Sequence, residues 1–311
     1  MPMIEHPASP LVPLLRGVHL FGFDGAPCSQ RVSFALAEKG LLRGASVPWA
    51  SDTPESLSAR EGTYTFRPVS LIRQEHLSEA YAAIQPNMVV PALVHDGALH
   101  IESMDIIDYL DERWPTHPLT PVEPDRARLC EELVELGKSL HVSVRYVSFR
   151  WGLKGLGKID AAHERELRKL ERAGSPEQLV EFYGRFNRDQ IDAAVYLEHL
   201  HALESGWGAQ DARLAADGRP FLTGDTFTKA DIIWSIKVLR ILECGYPFAT
   251  RFPSLHDWFR RVRARPGFRD GVMRSHRLMS LGFRAKAAVE NLLGIGIRAA
   301  SRPPSPTRAH G

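Results

Sequence analysis

Cysteine is scarce in this chain. Only Cys28, Cys130 and Cys244 occur in 311 residues, far apart and without metal-ligand spacing. That excludes a disulfide framework and points to a reducing, cytoplasmic setting. An excess of one charge is also lacking. The formal net charge is +2, with 39 Lys and Arg against 37 Asp and Glu, so the sequence offers no electrostatic footprint for a nucleic-acid partner. No run approaches the roughly 18 apolar residues of a membrane span. The proline-rich stretch 1–13 reads as neither signal peptide nor anchor. No P-loop and no Gly-x-Gly-x-x-Gly is present, which disfavours a nucleotide enzyme. The 13 histidines include no His-x-x-x-His pair, and His199 and His201 face different ways on a predicted helix. No metal is expected.

What is present suits a globular protein of two ordinary domains: 44% apolar and 24% charged residues. Val18 and Leu20 lie in an apolar strand over 18–23, glycines break it at Gly22 and Gly25, and a helix follows over 29–39. Pro27, Cys28 and Ser29 fall at the join. A helix start carries unpaired N–H groups and partial positive charge, so it stabilises a thiolate placed there. The plainer reading makes Ser29 the N-cap and Cys28 a small buried hydrophobe.

A second strand is expected over 45–49, then a long polar insertion over 51–74 with Pro54, Gly62 and Pro68. Such connections are functional lids or disordered. A short helix over 77–84 precedes Gln85-Pro86. Residues 89–101 read as a hairpin around Asp96-Gly97, and Glu102-Ser103 opens a helix over 104–113. Pro91, at the head of a strand, marks an edge or a cis bond. The order is β-α-β-α-β-β-α.

After the proline-rich stretch 115–124 the pattern becomes helical: 125–151, 161–173, 176–203, a polar loop over 206–219, then 232–242 and 255–264. Thr228-x-x-Asp231 is a capping box whose loss should cost about 1–2 kcal/mol. The tail 275–300 is amphipathic. It could cross the site entrance, join a partner or touch a membrane surface, and packing on its own protein is the expectation. Residues 302–311 are expected to be disordered.

Pro27-Cys28-Ser29-Gln30-Arg31-Val32, Val90-Pro91, Glu102-Ser103 and Phe221-Leu-Thr-Gly-Asp225 recur in this order in the glutathione S-transferase superfamily, which this chain resembles over about residues 17–270. The resemblance implies a thioredoxin-like α/β domain (17–115) behind a loose leader (1–16), an all-α domain (125–272) and a C-terminal helix with tail (273–311). It also implies glutathione as co-substrate and a homodimer. Val90 and Pro91 would meet the cysteinyl amide through the main chain. Glu102 and Ser103 would hold the γ-glutamyl ammonium and carboxylate, or simply cap a helix. His76 or Gln74, just before the short helix over 77–84, would reach the glycyl carboxylate, or both would simply be solvated.

The tyrosine of many members is absent, since Phe21 and Phe23 cannot donate. Ser29 and Cys28 remain as candidates to face the glutathione sulfur. The Cys-Ser-Gln-Arg-Val run is similar to the zeta class (maleylacetoacetate isomerase) and to hydroquinone reductive dehalogenases. Tyr146, Phe149, Arg150 and Trp151 look like the helical half of bacterial β-etherases. These likenesses imply thiolate attack on a small hydrophobic, aromatic electrophile: β-aryl ether cleavage or dehalogenation, with isomerisation, thiol transfer or a non-catalytic binding protein as alternatives. Tyr146, Phe149 and Arg150 would line the substrate pocket, and Arg145 or Arg150 would stabilise a phenolate or be plain surface arginines.

Overall fold

The computed structural model describes residues 3–172 and 177–301. The expected disorder of 302–311 lies outside the described residues. Six strands form one mixed sheet: β1 (Met3–Ile4), β2 (Val18–Gly22), β3 (Leu42–Ser46), β4 (Thr63–Pro68), β5 (Ala92–His95) and β6 (Ala98–Ile101), in the spatial order β1-β6-β5-β2-β4-β3. β2, β4 and β3 run parallel, while β5 and β6 are antiparallel additions. Side chains alternate across β2. Val18 and Leu20 join the larger core, and Phe21 joins a second core on the other face.

Three expectations for this half are corrected. The leader is not loose: β1 pairs with β6, and Leu11, Val12 and Leu15 are buried. The strand after the first helix, α1 (Pro27–Glu38), comes earlier than expected, at 42–46, and sits at the sheet edge. The polar insertion is neither lid nor disorder. It holds the short helix α2 (Pro54–Leu57) and β4, a central strand whose Tyr64 and Phe66 enter the core. Its polar residues misled because one of them is an internal staple. Arg67 is fully buried and donates to the carbonyls of Pro48, Trp49, Ser51 and Ser56 and to His19 Nδ1. A short helix α3 (Glu79–Ala82) and a cis Val90–Pro91 bond precede β5. Asp96 and Gly97 both adopt positive φ, the geometry that selects Asp-Gly in a two-residue hairpin. Helix α4 (Ser103–Arg113) closes the half.

The helical half contains α5 (Pro124–Ser139), α6 (His141–Val147), α7 (Ala161–Arg172), α8 (Glu177–Asn187), α9 (Ala193–Asp217), α10 (Lys229–Glu243), α11 (Phe248–Arg251), α12 (Pro253–Arg263), α13 (Pro266–Phe268), α14 (Arg274–Leu292) and α15 (Ile297–Ala300). The expected helix over 125–151 is therefore α5, α6 and a π-helical stretch, Ser148–Leu153. The helix expected over 176–203 ends at Asn187. A new one, α9, runs on through what reads as a polar loop, because Tyr196, Leu200, Leu203, Trp207 and Leu214 continue one buried stripe. It stops at Gly218, in the left-handed region. The tail packs on its own protein as expected, with α14 against α10, but through its polar face: it buries His276, Ser280 and Ala287, while Leu278, Leu281, Val289 and Leu292 face solvent.

The central helix α10 is almost wholly buried around its circumference, its charged side chains included. Its capping box is formed as the spacing predicts. Ion pairs Lys229–Asp108 and Arg265–Glu38 join the helical half to α4 and α1, while Lys39, at the end of α1, pairs with Asp111 of α4 and donates to the linker carbonyls of Thr116 and His117. Arg240 of α10 donates to the carbonyl of Gly25, just before α1. The cleft between the two halves is thus bounded by fixed elements.

Candidate active site

At the join of β2 and α1, Ala26 is the N-cap in extended conformation and Pro27 takes the first helical position, where its missing N–H costs nothing. Successive helical residues point about 100° apart, so Cys28 and Ser29 part company. Ser29 turns inward. It is 1% exposed, and its hydroxyl accepts the N–H of Phe23 at 3.2 Å, bracing the turn. Ser29 lies outside the cleft, which corrects the expectation that it competes with Cys28 for a reacting sulfur. Cys28 is half-buried and shares the open face of α1 with Arg31, one turn on.

A cleft of about 610 Å³ brings Cys28 together with Val90, Pro91, Glu102, Ser103 and His76. Val90 lies ahead of the strand ladder, which begins at Ala92 opposite Phe21 and Ile101. Glu102 adopts positive φ (63°) at the N-cap of α4, and its Oε1 accepts from the Asn87 side-chain amide at 3.2 Å. His76 is buried, and its Nδ1 has no hydrogen-bond partner among the described residues. Burial lowers its pKa to about 4, so the ring is neutral at pH 7.

The expected pocket residues are elsewhere. Tyr146 packs against Phe182 and lies over His199, and Phe149 sits among Phe182, Tyr183 and Phe186. Arg150 is exposed, above the ring of Tyr196. Helical period explains this correction. α5 and α6 present Lys138, His141, Val142 and Arg145, at i, i+3, i+4 and i+7, to the cleft. Positions 146, 149 and 150 then fall on other faces. Tyr183, Val180 and Leu179 of α8 supply the apolar wall.

Four nitrogen-bearing side chains surround Cys28. Arg31 is 3% exposed. Its guanidinium lies 3.8 Å from Cys28 Sγ, 3.4 Å from Ser103 Oγ and 3.4 Å from His141 Nδ1. A guanidinium only donates, so His141 Nδ1 accepts and Nε2 carries the proton. That N–H faces Cys28 Sγ at 3.9 Å. Removal from water and then the Arg31 charge hold His141 well below its ordinary pKa, which keeps this tautomer neutral at pH 7. Arg145 lines the cleft within electrostatic range of Cys28, and burial lowers its pKa. Behind them, Lys237 of α10 is fully buried and its Nζ has no partner among the described residues. Burial and Arg31 lower its pKa well below the usual lysine value, while Cys28 acts the other way. Among the described residues no carboxylate forms an ion pair with Arg31, Arg145 or Lys237. The region can therefore receive an anion. His141 has no sequence signal. Lys237 has one: a cation set inside the otherwise uncharged run Ile232–Leu239.

Residues 20–118 match the glutathione S-transferase N-terminal domain family and residues 176–266 the glutathione S-transferase C-terminal domain family. Members of that family use glutathione as co-substrate. The chain is 35% identical over 141 residues to maleylacetoacetate isomerase of Pseudomonas aeruginosa, covering 43% of this chain and 57% of that protein. It is 33% identical over 98 residues to maleylpyruvate isomerase of a Ralstonia species, covering 30% and 46%. The chain thus spans about half the length of these curated relatives. Among solved structures, the beta-etherase LigF from Sphingobium sp. strain SYK-6 superposes with a TM-score of 0.66 at 21% identity, covering 82% of this chain and 98% of that one. A theta class glutathione S-transferase from Xanthomonas axonopodis, solved with glutathione bound, gives a TM-score of 0.55 at 19% identity, covering 83% and 98%. Among the described residues no helix is long and apolar enough to cross a membrane, and no group of His, Cys, Asp and Glu is placed to hold a metal ion.

Proposed function

We propose, from the premise that this chain belongs to the glutathione S-transferase superfamily, that it is an enzyme that binds glutathione in the cleft and directs its thiolate at an electrophile that carries or develops negative charge. The observation behind this reading is the setting of Cys28: at the N-terminus of α1, across the cleft from Val90, Pro91 and Ser103, and facing Arg31 and the Nε2–H of His141.

In this reading the γ-glutamyl carboxylate meets Ser103 and the first N–H groups of α4, and Glu102 takes the ammonium. The main chain of Val90 pairs with the cysteinyl amide. His76, held neutral by burial, offers a hydrogen bond to the glycyl end. A free thiol with ordinary acidity is mostly protonated at neutral pH. The donors around Cys28 favour the anion of a glutathione sulfur placed beside it, because they are already oriented and shielded from water. Attack on carbon forms the C–S bond, and the bonding pair leaves with an aryloxide or halide. Arg145 is placed to meet that developing charge. Where the product is a glutathione adduct of a hydroquinone, Cys28 thiolate can attack the adduct sulfur, making a Cys28–glutathione disulfide as the carbon takes up a proton.

A second reading is favoured by the names of the curated relatives. The thiolate would add to the double bond of an unsaturated acid and leave after rotation, giving isomerisation without net change in composition. The cations facing Cys28 suit its carboxylates as well. A homodimer and a cytoplasmic setting belong to the proposal too, the latter supported by three free cysteines.

Calorimetric titration with glutathione and turnover on aryl ethers, halohydroquinones and unsaturated diacids test these readings. Changing Glu102 and Ser103 together to Ala should weaken glutathione at least about tenfold. Cys28→Ala should reduce turnover at least about 100-fold with glutathione affinity within about threefold. Unchanged turnover on every accepted substrate removes Cys28 from the chemistry. Arg145→Gln should lower kcat/KM for acidic electrophiles more than for 1-chloro-2,4-dinitrobenzene.

A further inference from the structure

Helix α14 is arranged inside out. Its inward face carries His276, Ser280 and Ala287. His276 Nε2 lies 2.7 Å from Glu243 Oε1, and Glu243 also pairs with Arg240, so a buried polar network fixes the helix's rotation about its axis. The opposite face carries Leu278, Leu281, Ala285, Ala288 and Leu292, at steps of three and four, which is one stripe of an α-helix. Leu278 is 83% exposed, Leu281 64% and Leu292 88%, with Val289, Leu293 and Ile295 also exposed beside them. A contiguous row of large aliphatic side chains in solvent marks a surface that something else covers. No residue of α14 lines the cleft, so the stripe belongs to a different surface.

Charge identifies the occupant. Arg277 and Arg284 flank the stripe, exposed and without ion-pair partners among the described residues, and Arg274 and Arg298 stand exposed at its two ends. The charge of the whole chain is strongly skewed toward this end. Residues 274–311 hold seven Lys and Arg against one acidic residue, Glu290, whereas residues 1–273 hold 32 basic and 36 acidic ones. Self-pairing through the stripe would bring like-charged arginine rows together, which is unfavourable. Leucines with flanking arginines instead match the boundary of an anionic bilayer. There the aliphatic side chains enter the acyl region, and the arginine stems lie along it with their heads among phosphates.

We propose that α14 and the turn after it dock this protein onto anionic membrane surfaces, lying in the interface without crossing it. The docked protein would meet its apolar electrophile at the bilayer, where such compounds accumulate. The docking itself does not depend on the catalytic reading.

Co-sedimentation of the full chain with vesicles tests it. Binding is expected to vesicles of phosphatidylcholine with about one-third phosphatidylglycerol, and to be at least about tenfold weaker to pure phosphatidylcholine. Raising salt from 0.1 to 0.5 M should weaken it by a similar factor. The triple variant L278Q/L281Q/L292Q keeps good helix formers on exposed positions. It should lose binding at least about tenfold with unchanged thermal melting and glutathione affinity. No binding by the wild type, or equal binding by the triple variant, overturns the proposal. So does a shift of the triple variant to a smaller oligomer in light scattering, which would assign the stripe to a second copy of the chain.

Discussion

Two buried polar clusters on helix α10, one at its N-terminus and one at its middle, are built on opposite principles. At its N-terminus Asp231 is wholly buried, and every group it faces is matched. It accepts from the N–H of Leu222 at 3.0 Å, the N–H and hydroxyl of Thr228 at 2.8 and 3.1 Å, and the indole N–H of Trp258 at 2.8 Å. Two turns further along, Lys237 is equally buried but unmatched, and beyond it Arg31 keeps an unpartnered Nε beside Cys28. A satisfied buried network adds to stability. A cluster of buried cations without counterions subtracts from it. The fold tolerates the second cluster at the cleft, where the proposed chemistry generates an anion.

The comparison can be broken most severely at the satisfied end. Asp231→Ala leaves four donors without their acceptor and should cost about 4 kcal/mol or more, read by urea unfolding. That exceeds the cost expected from the capping-box spacing, because Leu222 and Trp258 join the cap only in three dimensions. Acid should come next. His76 in the cleft and His100 on β6 each have a folded pKa of about 4 against an ordinary 6.5, both through burial. A base whose folded pKa is depressed contributes full stability above the unfolded value and loses it as protons bind the unfolded chain. Stability should therefore fall between about pH 6.5 and pH 4, by up to about 3 kcal/mol per histidine. His76→Gln and His100→Gln should each flatten the decline in melting temperature across that window. Lys237→Met should do the reverse of Asp231→Ala: a gain of about 1–2 kcal/mol, with turnover down about tenfold. A stability loss there would mean that Lys237 is matched after all. The smallest effect is expected at Ser29, where Ala should cost about 1 kcal/mol through the lost bond from Phe23, with glutathione affinity unchanged.

Much of the architecture was legible residue by residue. The broken strand before Pro27, the Asp96-Gly97 turn and the Thr228–Asp231 cap are local devices, and each stands where its spacing predicts. β4 was not legible, because Thr63–Pro68 mixes core aromatics with Arg67, whose partners lie in the preceding loop. The run of α9 past Gly206 was hidden by small and polar residues between its buried positions. In the site, Cys28, Val90, Pro91, Glu102 and Ser103 were nameable from motif order, and His76 only from its place before the short helix. Tyr146, Phe149 and Arg150 were misassigned because the phase of α6 relative to the cleft is set by its packing on α9 and α10.

The sequence by itself determined the elements around Pro27, the Asp96-Gly97 turn, the caps at Glu102-Ser103 and Thr228–Asp231, and the family to which the chain belongs, since each rests on spacings of a few residues. Tertiary structure alone decided that Ser29 faces inward and Cys28 outward. It also decided that His141 and Lys237 stand near a sulfur more than 100 residues away in the chain, and that the leucines of α14 face water. The physical reason is the same in each case. A side chain's role here follows from which groups share its buried surroundings, and those neighbours are chosen by packing between elements that no local spacing encodes.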